Sequence, residues 1–335
     1  MFKINCEKVE YKDKKSKFKP IHLYRKLKYY LQAFDQNEPD IIYINTSSYL
    51  RCFLLWLASI IYGKAHLIMH CHMPVNAKMR LPILEIITRW FVTFSSYNEF
   101  ACSYETGLIF YGKIFKKNPI VITNFINEET FKFNDKDRKE IRKELGIKNN
   151  ELVLGNVGRL WPQKNQLFLV ELLNQLNQNY KLVIVGSGSE KEKIESKIKE
   201  FNLNDRVILV ENTPIVYKYY SAFDYFVLPS TSEGLPFVSV EAQCSGLLNI
   251  VNSDLSHGVK ISDNVIFMPL DINSWASFIK HAKPNEIELR KESYKDVINA
   301  GFSIKDAPLV TVEKIRSVSY KKLSKRQQRK ANSLS

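Results

Sequence analysis

Short runs of apolar, β-branched-rich positions alternate along the chain with longer stretches in which apolar residues recur every three or four positions. The short runs predict strands at 40–45, 66–70, 100–103, 120–124, 152–157, 182–186, 206–210, 225–229, 249–252 and 265–268. Several of them, 152–157 and 225–229 among them, are apolar nearly throughout, as parallel strands buried on both faces require. Helical periodicity falls at about 20–34, 49–62, 78–94, 104–111, 136–145, 164–179, 189–201, 214–221, 236–245 and 273–281. Repeated strand–helix–strand spacing predicts an α/β fold with parallel sheets.

The pattern restarts once. A charged helix ends at Gly146, a helix C-cap signal, and after the polar stretch 147–151 a fresh strand begins. This predicts two Rossmann-like halves, 1–148 and 149–305, followed by a C-terminal helix and a basic, disordered tail over 306–335. A length of 335 residues fits two such domains, and 45% apolar with 25% charged residues is ordinary globular composition. Ligands of open parallel sheets bind at the carboxyl ends of the strands, so a cleft between the halves is the expected site.

The formal charge of +14 changes the picture only at the ends. Residues 1–30 contribute +7 and residues 321–335 contribute +6, leaving the middle nearly neutral. That distribution does not form the basic stripe of a nucleic-acid groove, and no nucleic-acid partner is expected. At 19–34, Ile21, Tyr24, Leu27, Leu31 and Phe34 fall near one helix face, with Arg25, Lys26 and Lys28 around it. The segment fits a helix lying on an anionic membrane, and equally a helix covering a sheet with a solvated basic rim. Five scattered cysteines without a CxxC pair, and a basic start without a secretory leader, predict a reduced, cytoplasmic protein.

Three glycine-bearing turns carry the candidate chemistry. In 229–246, PSTSEGLPFVSVEAQCSG, a strand runs into Glu233-Gly234-Leu235-Pro236 and then a helix carrying Glu241. A helix N-terminus there offers backbone N–H groups and a positive dipole end to an anion; the plain alternative is two solvated glutamates. In 155–164, GNVGRLWPQK, Gly158 allows close backbone approach, and Arg159 and Lys164 set two cations at a strand end, suited to a diphosphate. The third turn, around Gly186 in VGSGSE, fits a structural turn or the rim of a nucleotide pocket. Asp135-Lys136-Asp137 spells DxD but opens a charged helix, where acidic residues favour the N-terminus without any metal.

These segments, with the shorter pieces HCH, FACS and VITN, resemble the retaining glycosyltransferases of family 4, in particular those that build bacterial capsular polysaccharides or exopolysaccharides. The resemblance runs from about residue 40 to about residue 305. It implies a GT-B fold, two Rossmann-like domains with parallel sheets facing a cleft. It implies transfer from a nucleotide diphosphate sugar to a lipid-linked or other glycan acceptor, without metal or cofactor. Arg159 and Lys164 would neutralise the donor diphosphate beside Gly158 and Gly186, and Glu241 would bind the ribose. Glu233 would contact the transferred sugar, assisted by the amides of Gly234 and Leu235. His72, or second His70, would be catalytic at the end of its strand, facing the acceptor and donor sugar, with Ser103 and Glu105 near the acceptor. A lipid-linked acceptor implies peripheral contact with the inner face of the cell membrane. The chain departs from the family at its start, where the usual first strand, Gly-rich loop and helix are not found; the first glycine is Gly63. The alternative expectation is therefore a degenerate member that binds a nucleotide sugar, or a partner glycosyltransferase, without turnover.

Overall fold

Strand and helix follow one another as the periodicity predicts, in two separate parallel sheets. The computed structural model describes residues 19–45, 49–63, 65–72, 99–112 and 120–317. The helix expected at 78–94, the basic residues before Lys19 and the tail after residue 317 lie outside them. Contacts divide the chain into two units, one ending at Ile122 and regaining the chain from Glu313, the other spanning Thr123–Val312.

The first unit contains α1 (Lys19–Asn37), β1 (Ile41–Asn45), α2 (Tyr49–Tyr62), β2 (His66–Cys71), β3 (Glu99–Ala101), α3 (Tyr104–Tyr111) and β4 (Ile120–Val121). Its strands lie side by side in chain order, all parallel. Tyr30 and Phe34 of α1 join Ile42, Ile44, Leu67, Met69 and Phe110 in one buried cluster. Helix α1 thus turns its apolar face to the sheet, while Tyr24, Arg25 and Lys28 stay exposed. Of the two expectations for this segment, the sheet-covering helix is the one observed. The Tyr111 hydroxyl ties α3 to the sheet by donating to the carbonyls of Met69 (2.8 Å) and Phe100 (3.2 Å).

The second unit contains α4 (Glu128–Phe131), α5 (Asp135–Glu144), β5 (Leu152–Val157), α6 (Gln166–Asn174), β6 (Tyr180–Val185), α7 (Lys191–Glu200), β7 (Val207–Val210), α8 (Val216–Ala222), β8 (Tyr225–Leu228), α9 (Phe237–Cys244), β9 (Leu248–Asn252), β10 (Val265–Met268), α10 (Ile272–His281), α11 (Ile287–Glu292) and α12 (Tyr294–Asn299). The strand order is β10-β9-β8-β5-β6-β7, all parallel. The chain leaves β5 in one direction to β6 and β7, then returns to lay β8 on its other side. Side chains alternate between two apolar layers. Leu154, Leu182 and Ile184 pack with Leu169 and Trp275 on one face. Val153, Val183 and Val185 pack with Phe223, Phe226 and Ala242 on the other. Both faces are dry, which is why the strands read as unbroken apolar runs.

The contact division falls at Ile122/Thr123, before the boundary expected near residue 148. Helix α5 packs on the second unit because Arg138 and Arg142 reach Asp224 at the start of β8, at 2.7 and 3.1 Å. The bridge pairing Ile126 with Ser303 holds the segment's beginning to the same unit.

Candidate functional site

In a sheet ordered like β10-β9-β8-β5-β6-β7, connections from β5 and β8 leave in opposite directions, opening a crevice at their carboxyl ends. Two of the glycine-bearing turns sit there. The turn after β5 runs through Gly158, exposed Arg159, exposed Trp161 and Lys164; the turn after β8 runs through Glu233, Gly234 and Leu235 to α9. They are stitched together by backbone: Thr231 N–H donates to the Gln163 carbonyl at 2.8 Å. Asn165, in the left-handed conformation that lets the chain turn into α6, donates its amide to the Pro229 carbonyl at 3.4 Å.

Across this stitch, Lys164 Nζ pairs with Glu233 Oε1. Both side chains are largely buried, at 18% and 13% exposure, so the pair is far less screened than a surface one. Among the described residues, Arg159 has no acidic partner; its guanidinium lies 5.0 Å from the Trp161 ring centroid. Gly234, Leu235 and Pro236 are buried. Pro236 occupies the N-cap of α9. Glu241 is half-buried on α9 and accepts a hydrogen bond from Tyr220 on α8. Burial raises the Glu241 carboxyl above its ordinary range, and the Tyr220 bond partly offsets this.

The third turn explains its glycines by contact. A Cβ on Gly186 would fall on the Gly158 carbonyl oxygen, and one on Gly188 on the Leu160 carbonyl. The backbones touch because Gly158 N–H donates to Val185 (3.0 Å), Leu160 N–H to Ser187 (3.0 Å) and Glu190 N–H to Leu160 (2.9 Å). Gly186 therefore holds the β6 turn against the β5 turn.

The remaining candidates belong to the first unit. His70 and His72 point the same way from the end of β2, their ring centroids 4.0 Å apart. His70 is buried, hydrogen-bonded through Nδ1 to the Tyr43 hydroxyl, and burial with His72 beside it drives its pKa down to about 3. It is a neutral imidazole at ordinary pH. His72 is half-buried. Ser103 is buried and caps α3, accepting from Thr106 N–H at 3.1 Å and donating to the Thr106 hydroxyl at 2.9 Å. Glu105 is exposed in the first turn of α3. Tyr43, Tyr220 and the Gln163–Thr231 stitch have no signature in the sequence.

Among the described residues, no group of three or more His, Cys, Asp or Glu side chains is placed to hold a metal ion. Asp137 of the DxD pairs with Lys218 at 3.3 Å and Asp135 with Lys291 at 3.4 Å, so both serve the start of α5. Cys52, Cys71, Cys102 and Cys244 are buried free thiols. No helix among the described residues is long and apolar enough to cross a membrane.

The family model "Glycosyl transferases group 1" matches residues 137–301, the stretch that carries these turns. This segment is similar to the group 1 glycosyltransferases. An Escherichia coli UDP-Gal:alpha-D-GlcNAc-diphosphoundecaprenol alpha-1,3-galactosyltransferase is 31% identical over 196 residues, 55% of this chain and 50% of that protein. A Campylobacter jejuni N-acetylgalactosamine-N,N'-diacetylbacillosaminyl-diphospho-undecaprenol 4-alpha-N-acetylgalactosaminyltransferase is 37% identical over 89 residues, 26% of this chain and 24% of that protein. Aligned segments span half or less of these curated relatives. Among solved structures, Anabaena Alr3699/HepE in complex with UDP matches with TM-score 0.72 and 20% identity over 87% of this chain and 82% of that one. Sucrose-phosphate synthase from Thermosynechococcus elongatus matches with TM-score 0.75 and 19% identity over 89% and 78%. The fold is GT-B, with a Rossmann-like parallel sheet in each unit.

Proposed function

We propose that the chain is a retaining, family 4-like glycosyltransferase. It moves a hexose from a nucleotide diphosphate sugar to a lipid-linked glycan in capsular or exopolysaccharide biosynthesis, at the inner face of the cell membrane. The observation that carries this reading is the Lys164–Glu233 pair at the β5/β8 crevice, where one cation and one carboxylate stand between stitched turns. A departing nucleoside diphosphate develops negative charge, and fixed cations with a helix N-terminus stabilise it. In this reading Lys164 and Arg159 take the diphosphate, Glu241 the ribose, and Glu233 with the amides of Gly234 and Leu235 the sugar. Gly158 and Gly186 let the two turns close under it. Attack from the face of the leaving group retains the anomeric configuration, the leaving phosphate accepting the acceptor's proton. In the first unit, His72, or second His70, is the catalytic histidine facing the acceptor and the donor sugar, and Ser103 and Glu105 are assigned to the acceptor side. Ser103 acts there through the geometry of α3, since its hydroxyl is committed to Thr106.

The E. coli relative is named for UDP-Gal and a diphosphoundecaprenol-linked acceptor, and the Anabaena structure holds UDP. Carried to this chain, these favour a UDP-sugar and an acceptor on a lipid diphosphate. The test is a thermal-stabilisation panel of UDP-glucose, UDP-galactose, UDP-N-acetylglucosamine and GDP-mannose, followed by assay of the stabilising donor for hydrolysis and transfer. Stabilisation by at least one donor, with turnover, is expected. Stabilisation without hydrolysis or transfer would leave a binding protein, and no stabilisation would remove the donor-site assignment.

A further inference from the structure

The two charges that the proposed function assigns to different parts of the donor are paired with each other. Lys164 extends from the end of the β5 turn, Glu233 from the β8 turn, and each side chain is more than four-fifths buried. A polyanion that draws Lys164 away leaves Glu233 in a poorly solvated place without its counter-charge. Such separation is costly unless another donor replaces the ammonium. A nucleoside diphosphate offers only acceptors near its terminal phosphate. A nucleotide sugar brings hydroxyl groups, which donate hydrogen bonds to a carboxylate.

We propose that the Lys164–Glu233 pair is a specificity device: it penalises diphosphates that lack a sugar and so favours the donor over the spent nucleotide. This rests on the glycosyltransferase reading of the site and adds to it a role for the pair itself. Lys164 exchanges Glu233 for phosphate, and Glu233 exchanges Lys164 for sugar hydroxyls; only an intact donor completes both exchanges. The neighbouring Arg159 fits the same scheme from the other side. Stacked on Trp161, it has no acidic partner among the described residues to give up, so it attracts either ligand alike.

The test is calorimetry on the full chain with inorganic pyrophosphate, UDP and the donors of the panel, comparing wild type, Glu233→Gln, Lys164→Gln and the double variant. Glutamine keeps the shape of Glu233 and removes its charge, and thermal melts establish that each variant is folded. Glu233→Gln is expected to tighten pyrophosphate and UDP on the order of tenfold, the worth of a partly buried pair, while the donor sugar gains less or loses affinity. The donor-to-diphosphate ratio therefore falls. In the Lys164→Gln background the gain disappears, because it passes through the freed ammonium. Unchanged or weaker pyrophosphate binding by a folded Glu233→Gln variant overturns the proposal, as does a gain that survives in the double variant. Failure of every probe to bind any form overturns the glycosyltransferase reading itself, and this device with it.

Discussion

The Tyr220 hydroxyl donates to Oε2 of Glu241 across 2.5 Å, joining α8 to α9. Tyr220 is fully buried, and burial beside the carboxylate pushes its phenol well above the ordinary range, so it remains a donor. Burial raises the Glu241 carboxyl as well, with the Tyr220 bond partly opposing. Between the unperturbed carboxyl pKa and this raised value, the folded state holds more protons than the unfolded one. Stability therefore falls as pH rises through that window. Glu241→Gln removes the term. The difference in melting temperature is expected to shift in the variant's favour as pH goes from 4.5 to 8, and a pH-independent difference would contradict it. Tyr220→Phe should cost about 1.5–3 kcal/mol at pH 8, the loss of a bond to a charged group.

At Gly186 the expected effect is steric. A methyl group would be forced onto the Gly158 carbonyl oxygen, which is fixed by the ladder on either side. Gly186→Ala should destabilise by about 1–3 kcal/mol and spread the β5 and β6 turns. Nucleotide-sugar affinity should fall together with stability. Gly112→Ala is the comparison: its added Cβ meets nothing within 4 Å, so only its positive φ of 67° is strained and the crevice is untouched. Urea melts and calorimetry on the two variants separate these effects.

Much of this architecture was legible in local pattern. All ten predicted strands are present, because a parallel strand buried on both faces writes its burial into consecutive residues such as 152–157. The EGLP turn was legible for the same reason, since a turn and a helix start are local. Long-range partners were not. Helices α11 and α12 went unpredicted because their anchor is Arg290, 2% exposed, which donates to carbonyls of Tyr220, Phe223 and Ser245. No periodicity encodes such an anchor. The charged helix α5 looked like the end of the first half, yet Arg138 and Arg142 commit it to Asp224 in the second unit. Likewise the motif named Lys164 and Glu233 separately, while only the fold pairs them.

Asp224 supports the strongest stability prediction. Its carboxylate is 6% exposed and accepts from Arg138, from Arg142 and from Val153 N–H at 2.8 Å, so it joins α5, β5 and β8. Asp224→Asn keeps the shape and leaves two arginines beside the buried Arg290 without their shared counter-charge. A loss of about 3–5 kcal/mol in urea unfolding is expected. Less than 1 kcal/mol would mean the arginines are satisfied by backbone carbonyls alone.

The membrane reading has to use the outer rim of α1, because the inner face of that helix is occupied by the sheet. Arg25 and Lys28 are exposed there beside Tyr24, itself 67% exposed. Each basic residue near an anionic bilayer contributes about 1 kcal/mol. The full chain should bind phosphatidylglycerol vesicles in low salt and release them as salt rises. Reversing both charges, Arg25→Glu with Lys28→Glu, should weaken that binding by at least tenfold. Equal binding to phosphatidylcholine vesicles would remove the electrostatic explanation.

His70 gives a pH dependence of the opposite sign to Glu241. Its ring is buried between Tyr43 and Phe100, edge-on to both, and its pKa is held down to about 3 by burial and by His72. The unfolded chain takes up this proton near pH 6.5. Between pH 6.5 and 3 the unfolded state therefore holds more protons than the folded one. The stability due to the neutral ring is complete above pH 6.5 and is lost as pH falls through that window. His70→Gln removes this loss, so the stability gap between wild type and variant, measured in urea, should narrow steadily from pH 7 to pH 4. A His70 that charges near pH 6.5 in the folded protein would leave the gap constant, and its ring signals would titrate there by NMR. If instead the ring stays neutral throughout, His70 cannot be the group that sets a rate–pH profile between pH 5 and 8. Any histidine titration in that range then belongs elsewhere, and His72→Gln with His70 intact is the variant that assigns it.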